Sequence, residues 1–196
     1  MTTLKDFENR LQEFNKEFAE FKKHYRKAPE VGGAVEIAGM KWKILDKLDS
    51  GYFAIMDGFD SLSTEFDSAT NDWRESDLRN YLNTEFLKKL EGDVGELPEF
   101  ERDLTSLDGQ TEYGKCEDKV SLLTVDEYRK YRKYLPNTDK WWWLCTSWST
   151  KCNGYEYPVA VVAPSGDFYN VNCFSSSCGV RPVCIFPFSI FESEEE

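Results

Sequence analysis

The hydrophobic period of this chain changes once, and the change divides it in two. Apolar residues first recur in alternating steps of three and four, at Leu4, Phe7, Leu11, Phe14, Phe18, Phe21 and Tyr25. That spacing is the seam of a helix that faces a second helix or a docking surface. Glu, Lys, Arg, Asn and Gln fill most other positions, and Pro29 with Gly32-Gly33 ends the pattern. From Val35 the period becomes two, which belongs to strands with one buried face. The chain is therefore read as an N-terminal helix over 1–28, a domain over 32–191, and an acidic tail over 192–196.

Within the domain, Val35 and Ile37 pair in pattern with Trp42, Ile44 and Leu45, predicting a hairpin that turns at Ala38-Gly39-Met40. Tyr52–Met56 reads as a third strand. Leu78, Leu82, Phe86 and Leu90 mark one face of a helix whose N-cap is Ser76. Residues 91–119 read as loop. Thr124, with Glu127 three residues later, has the capping-box pattern and opens a helix that Pro136 stops. Four strands are expected after it, over 141–146, 158–163, 168–172 and 180–186.

Charge and composition narrow the function. A net charge of -12 excludes a general binder of nucleic acid or anionic membrane, since neutralising phosphate needs clustered Lys and Arg. No apolar run is long enough to cross a membrane, and the N-terminus lacks the apolar core of a signal peptide. Cytoplasmic synthesis is expected, with a virion or cell surface reached only by assembly. His24 is the single histidine, which removes most zinc, Ser-His and Cys-His schemes. Cys116, Cys145, Cys152, Cys173, Cys178 and Cys184 show no C-x-x-C spacing and read as reduced thiols. No cofactor or metal is expected. Asp57, Asp60, Asp67 and Asp72 read as a solvated acidic loop rather than a calcium site.

An ordered set of motifs then resembles one family. The strings are Gly39-Met40-Lys41-Trp42, Trp73-x-x-Ser76-x-Leu78-Arg79-x-x-Leu82-Asn83, Val120–Glu127, Trp142-Trp143-Leu144 and Gly179-Val180-Arg181-Pro182. They look like a bacterial and phage domain of unknown function, over about 32–188, whose pattern runs W-x-x-S-x-L-R-x-x-L-N, W-W-L-R-S and G-V-R-P. The resemblance implies an α+β, C-type-lectin-like fold of the formylglycine-generating-enzyme kind, with a small antiparallel sheet, two helices and long loops. That class includes the variable proteins of diversity-generating retroelements. One position departs from the pattern: Cys145 stands where the family has Arg.

Trp73, Trp142 and Trp143 are expected in the core, with Trp141 and Trp148 partly exposed. Arg181 is expected to be structural, satisfying backbone carbonyls or a carboxylate, with Asp77 and Glu75 as the candidate acidic partners. The binding surface is placed between the two C-terminal motifs, on Thr146, Ser147, Trp148, Cys152, Asn153, Tyr155, Tyr169, Asn170, Asn172, Cys173 and Phe174. Tyr and Trp there supply rigid contact area, and Ser and Asn adaptable hydrogen bonds. Residues 169–178 also contain only side chains that adenine-directed mutagenesis of Asn codons can produce. The expected function is non-enzymatic recognition of a protein or glycan ligand, made multivalent by self-association through residues 4–25. Two alternatives stand beside it. One is a copper oxidase using Cys173 and Cys178, or Cys145 and Cys152; the other is a structural phage or cell-surface component.

Overall fold

The computed structural model describes residues 4–24, 26–61 and 64–191, apart from the side chains of 16–24. The seam positions Phe18, Phe21 and Tyr25 and the acidic tail at 192–196 lie outside the described side chains and residues. The architecture is α+β, with three antiparallel sheets and a few helices.

Helix α1 (Leu4–His24) comes first, and Leu4, Phe7, Leu11 and Phe14 on it are exposed. Strands β1 (Ala34–Ile37) and β2 (Met40–Leu48) form the expected hairpin, with Ala38 and Gly39 both at positive φ. That pair of conformations makes the tight turn whose twist suits flanking strands. Ala38 is strained there, and its N–H is held by the Asp93 carboxylate at 2.8 Å. The same carboxylate takes Arg26 at 2.5 Å, so the start of the domain is tied to its second helical segment.

Strand β3 (Gly51–Met56) follows, and the five-stranded sheet runs β1-β2-β3-β10-β6. Strand β10 (Val183–Phe186), near the C-terminus, is inserted between β3 and β6 (Val120–Ser121). Its residues alternate between two hydrophobic clusters. Cys184 and Phe186 join the one that contains Trp42, Trp73 and Trp143, while Val183 and Ile185 join the one that contains Phe53, Tyr128 and Trp142. Ile44 and Leu45 are buried one in each cluster, as alternation along a strand dictates, and a bulge leaves Leu45 unpaired between Ile44↔Ala54 and Asp46↔Phe53.

The tryptophan motif behaves in the same way. Strands β7 (Trp142–Ser147), β8 (Pro158–Val162) and β9 (Phe168–Asn172) form a three-stranded sheet in that order. Trp142 and Trp143 point to opposite faces, and both are buried. A strand with two buried faces accommodates both rings, so only Trp141, outside the strand, is left exposed, with Trp148 half-buried. Replacing either buried Trp by Ala should cost about 3–5 kcal/mol.

The helical segment is interrupted. Helices α2 (Asp77–Tyr81) and α3 (Leu87–Val94) flank a π turn over Leu82–Phe86. Asn83 Nδ2 donates to the Arg79 carbonyl at 3.1 Å and Thr84 Oγ1 donates to the Asn80 carbonyl at 2.7 Å. Those are the acceptors that an α-helix would offer to the amides of residues 83 and 84. With side chains competing for them, the ladder widens, and the Leu87 amide reaches back to the Leu82 carbonyl. The segment read as loop also holds a ribbon, β4 (Phe100–Asp103) paired with β5 (Lys115–Asp118). Helix α4 (Val125–Tyr131) opens with the expected capping box.

The W-x-x-S-x-L-R-x-x-L-N motif is a clamp. Trp73 Nε1 donates to Asp118 Oδ2 at 2.7 Å, and Arg79 Nε meets Asp118 Oδ1 at 2.6 Å. Ser76 caps α2, Leu78 and Leu82 are buried, and Asn83 accepts from the amides of Lys119 and Val120. Each motif residue is thus spent on fixing the helix against the strand that carries Asp118.

Candidate functional site

The candidate surface is built on β9, the outer strand of the three-stranded sheet, and on the loop joining β7 to β8. Asn71 holds that loop. It is fully buried, its Nδ2 lies 2.8–3.0 Å from the carbonyls of Ser149, Tyr155 and Pro158, and its Oδ1 accepts from Tyr113 Oη at 2.7 Å. Tyr113 Oη in turn accepts the Lys151 amide at 3.1 Å. Ser149 Oγ donates to Asp108 at 2.7 Å, and Asn153 Nδ2 reaches Ser149 Oγ at 3.1 Å. A loop so fully hydrogen-bonded presents its outer side chains in fixed positions.

Those outer side chains are aromatic. Trp141 is 36 % exposed, Tyr157 42 %, Phe174 47 %, and Tyr155 and Tyr169 50 % each. Trp141 and Tyr169 meet edge to face, with ring centres 5.1 Å apart; Tyr157 and Phe174 do the same at 5.8 Å. The two pairs flank β9, whose Asn170 and Asn172 are exposed between them. Alternation along the strand puts Tyr169 on one face of the sheet and both asparagines on the other.

The residues expected at the surface therefore divide. Cys152, Asn153, Tyr155, Tyr169, Asn170, Asn172 and Phe174 are exposed, and Trp148 is half-buried. Thr146, Ser147 and Cys173 are buried and do not belong to that surface. Thr146 Oγ1 accepts the Val125 amide at 3.0 Å; Cys173 lends its amide to the Tyr157 carbonyl at 2.8 Å and its carbonyl to Phe66 and Asp67. Trp141, though expected to be partly exposed, was not assigned to the surface, and Tyr157 was missed. Their signal was available in the aromatic-polar composition of the flanks, but their exposure depends on where the strands begin.

Other expectations need correction. Arg181 pairs with neither Asp77 nor Glu75. Its Nε and Nη2 each lie 3.3 Å from the Met56 carbonyl, and its guanidinium lies over the Trp142 ring at 4.9 Å. Burial lowers its pKa to about 10, against the opposing pull of Asp57. Asp67 and Asp72 are not solvated. Asp67 accepts the amides of Ala69, Thr70 and Asp77, and Asp72 binds the Arg74 guanidinium. Cys145 and Cys152 do not form a pair. Cys145 is buried beside Arg102 and the Leu122 carbonyl, whereas Cys152 is exposed and donates to Glu112. All six cysteines are free thiols, and burial holds Cys173 and Cys178 each up at about 11. Among the described residues, no three His, Cys, Asp or Glu side chains are placed to hold a metal ion.

A separate cleft of about 400 Å³ is lined by residues including Arg102, Asp103, Thr124, Glu127 and Thr146. Arg102 is buried under it and forks onto Glu127, with Nη1–Oε1 at 2.7 Å and Nη2–Oε2 at 2.5 Å. Glu127 Oε2 also accepts the Thr124 amide that closes the capping box. Arg102 with Glu127 and Arg129 with Asp126 are thus engaged with one another, and Asp103 accepts from Thr105.

Fold and surface together define an α+β domain of three antiparallel sheets whose outermost strand carries exposed aromatic and amide side chains. No described helix is long and apolar enough to cross a membrane. The chain belongs to the family described as a domain of unknown function, DUF6273, whose profile matches residues 52–188. The match begins at β3, so the β1–β2 hairpin lies outside it although it completes the same sheet. Neither the curated proteins nor the solved structures contain a match to the chain.

Proposed function

We propose that the chain is a non-enzymatic recognition protein that binds an external ligand through the β9 face and the loop between β7 and β8. The observation that carries this reading is the group of five exposed aromatic side chains, Trp141, Tyr155, Tyr157, Tyr169 and Phe174, around a loop that Asn71, Tyr113 and Asp108 hold in place. Large apolar side chains gathered at one surface mark an interaction site, and Tyr and Trp give contact area at low entropic cost. The domain is of the C-type-lectin-like kind, and the surface is of the sort that retroelements diversify in phage or cell-surface proteins. Under that reading the buried Cys173 and Cys178 stay constant while Tyr169, Asn170, Asn172 and Phe174 vary; a coding locus without a reverse transcriptase or template repeat would remove the retroelement part.

Self-association belongs to the same proposal. Leu4, Phe7, Leu11 and Phe14 form an exposed stripe on α1, which suits a helical bundle that presents several copies of the surface. Light scattering of the full chain should show an oligomer that Phe7→Glu with Leu11→Glu reduces to a monomer.

The recognition surface is tested by probing glycan and peptide arrays with the full chain. Tyr155→Ala combined with Phe174→Ala should weaken any ligand found by about tenfold or more, with thermal unfolding unchanged. Undiminished binding by that variant would remove the surface from consideration.

A further inference from the structure

Strand β9 is an open edge, and the phase of its ladder shows which peptide groups face outward. Its register against β8 runs without a break from Val162↔Phe168 to Pro158↔Asn172. Two hydrogen bonds just beyond the ladder fix the phase. The Ala163 amide donates to the Asp167 carbonyl at 2.9 Å, and the Cys173 amide to the Tyr157 carbonyl at 2.8 Å. Bonded and non-bonded pairs alternate in an antiparallel ladder. Residues Tyr169 and Val171 therefore turn their amides and carbonyls toward β8, while Phe168, Asn170 and Asn172 turn theirs away. The Asn172 carbonyl is taken by the Ser175 amide at 2.9 Å. Among the described residues, no strand and no turn takes the outward groups of Phe168 and Asn170.

Edges of this kind usually carry a guard, such as an inward charge, a proline or a bulge. Strand β9 has none of these. Its side chains, Phe-Tyr-Asn-Val-Asn, are uncharged. Carboxylates stand at both ends instead. Asp167 precedes the strand and meets only Ser165 Oγ, at 2.8 Å. Beyond the other end, burial first, and then the Asp67 and Glu65 carboxylates, hold the Cys173 thiol up. Asp67 is buried and spent on three backbone amides, whereas Asp167 and Glu65 are exposed and make no ion pair among the described residues. The cations nearby are engaged: Arg129 pairs with Asp126 and lies over the Phe168 ring at 5.3 Å, Arg132 donates to the Leu135 carbonyl and Asn137, Lys151 pairs with Glu156, and Lys140 rests over the Phe59 ring. The whole chain carries -12.

We propose that the outer edge of β9 takes an extended, positively charged peptide segment of a partner protein as a fourth strand. The inference rests on the recognition reading and specifies its ligand. The amides and carbonyls of Phe168 and Asn170 supply the main-chain pairing. The Trp141–Tyr169 pair on one face and Asn170 and Asn172 on the other contact alternate side chains of the incoming strand. The exposed Asp167 and Glu65 carboxylates, one beyond each end of the strand, select Lys or Arg over Asp or Glu.

The test uses short synthetic peptides of alternating Val and Lys, their Val and Glu counterparts, and the Val-Lys peptide methylated on alternate backbone nitrogens. The full chain should bind the basic peptide and protect the Phe168 and Asn170 amides from hydrogen exchange. Binding should weaken by about tenfold or more on backbone methylation, on replacing Lys by Glu, and in Asn170→Pro. Proline is tolerated on an edge whose N–H faces solvent, and the methylated peptide tests the same point on the unaltered chain. Equal binding after methylation would overturn strand addition and leave recognition by side chains standing. Equal binding of the acidic peptide would overturn the charge preference. A chain that binds glycans through the aromatic surface but no peptide would overturn this inference alone. A dimer abolished by Asn170→Pro would overturn it by showing that a second copy fills the edge.

Discussion

Arg102 and Cys145 meet in the interior, Nη2 to Sγ at 3.6 Å, although one sits on the β4–β5 ribbon and the other on the tryptophan strand. Cys145 stands where the resemblance read from the sequence expects an arginine. The thiol thus sits beside a guanidinium delivered from a different part of the chain, which forks onto Glu127 and holds the capping box of α4.

Restoring arginine at 145 should therefore be harmful. Cys145→Arg places a second cation in a site that is already filled and paired, and an uncompensated buried charge costs about 3–5 kcal/mol. Combining it with Arg102→Ala should recover part of that loss, giving a coupling of about 1 kcal/mol or more in a double-mutant cycle by urea unfolding. Strict additivity would show that the two positions do not share the Glu127 carboxylate.

Asn71 is the anchor of the surface loop, and its removal should be felt there first. Asn71→Ala leaves the carbonyls of Ser149 and Tyr155 without a partner and takes one of two partners from the Tyr113 hydroxyl and the Pro158 carbonyl, which keep the amides of Lys151 and Trp148. Each buried polar group so stranded costs about 1–3 kcal/mol. A stability loss of about 3 kcal/mol is expected, with hydrogen-exchange protection falling most over 149–158. Uniform loss of protection across the domain would mean that the loop has no separate anchor.

Alkali should unfold the protein through its thiols. Burial holds Cys145 up at about 12 and Cys173 and Cys178 at about 11, and pushes Cys184 up as well, against an ordinary value of 9.0. Below pH 9 the folded and unfolded states both keep these protons, and the stability is intact. Above it the unfolded chain loses them first, so stability falls as pH rises. The slope should be at most about 1.4 kcal/mol per pH unit for each buried thiol. Urea midpoints between about pH 8 and pH 10.5 measure it, and Cys184→Ala should lessen it. A flat profile would contradict the burial of these thiols.

Local chemistry made many elements legible. Ser76 and Thr124 cap the helices that their sequences announce, and Asn-Gly, Ala-Gly and Pro-Ser-Gly-Asp mark turns because few residues accept those backbone angles. Apolar patterning found Tyr52–Met56 and Phe168–Asn172. It failed for the β4–β5 ribbon, where charged Glu and Asp alternate with Arg102 and Cys116, and the forces that hold it are the Arg102–Glu127 pair and the packing of Phe100 and Cys116 on partners far away in sequence. The π turn was equally hidden, since it arises from two side chains competing for carbonyls within the helix.

By itself, the sequence determined the helices, the tight turns and the aromatic wealth of the C-terminal half, because caps, φ preferences and apolar periods act over a few neighbouring residues. The sequence also sorted the tryptophans into core and surface, but only the tertiary structure decided which rings meet. Trp142 and Trp143 vanish into opposite faces of one strand, while Trp141, one residue earlier, stands in the open beside Tyr169. The same holds for partners: Arg181 on the Met56 carbonyl, Asp118 between Trp73 and Arg79, and Arg102 against Cys145. The energy of a buried charge depends on what surrounds it in space, and that neighbourhood exists only once distant segments have packed together.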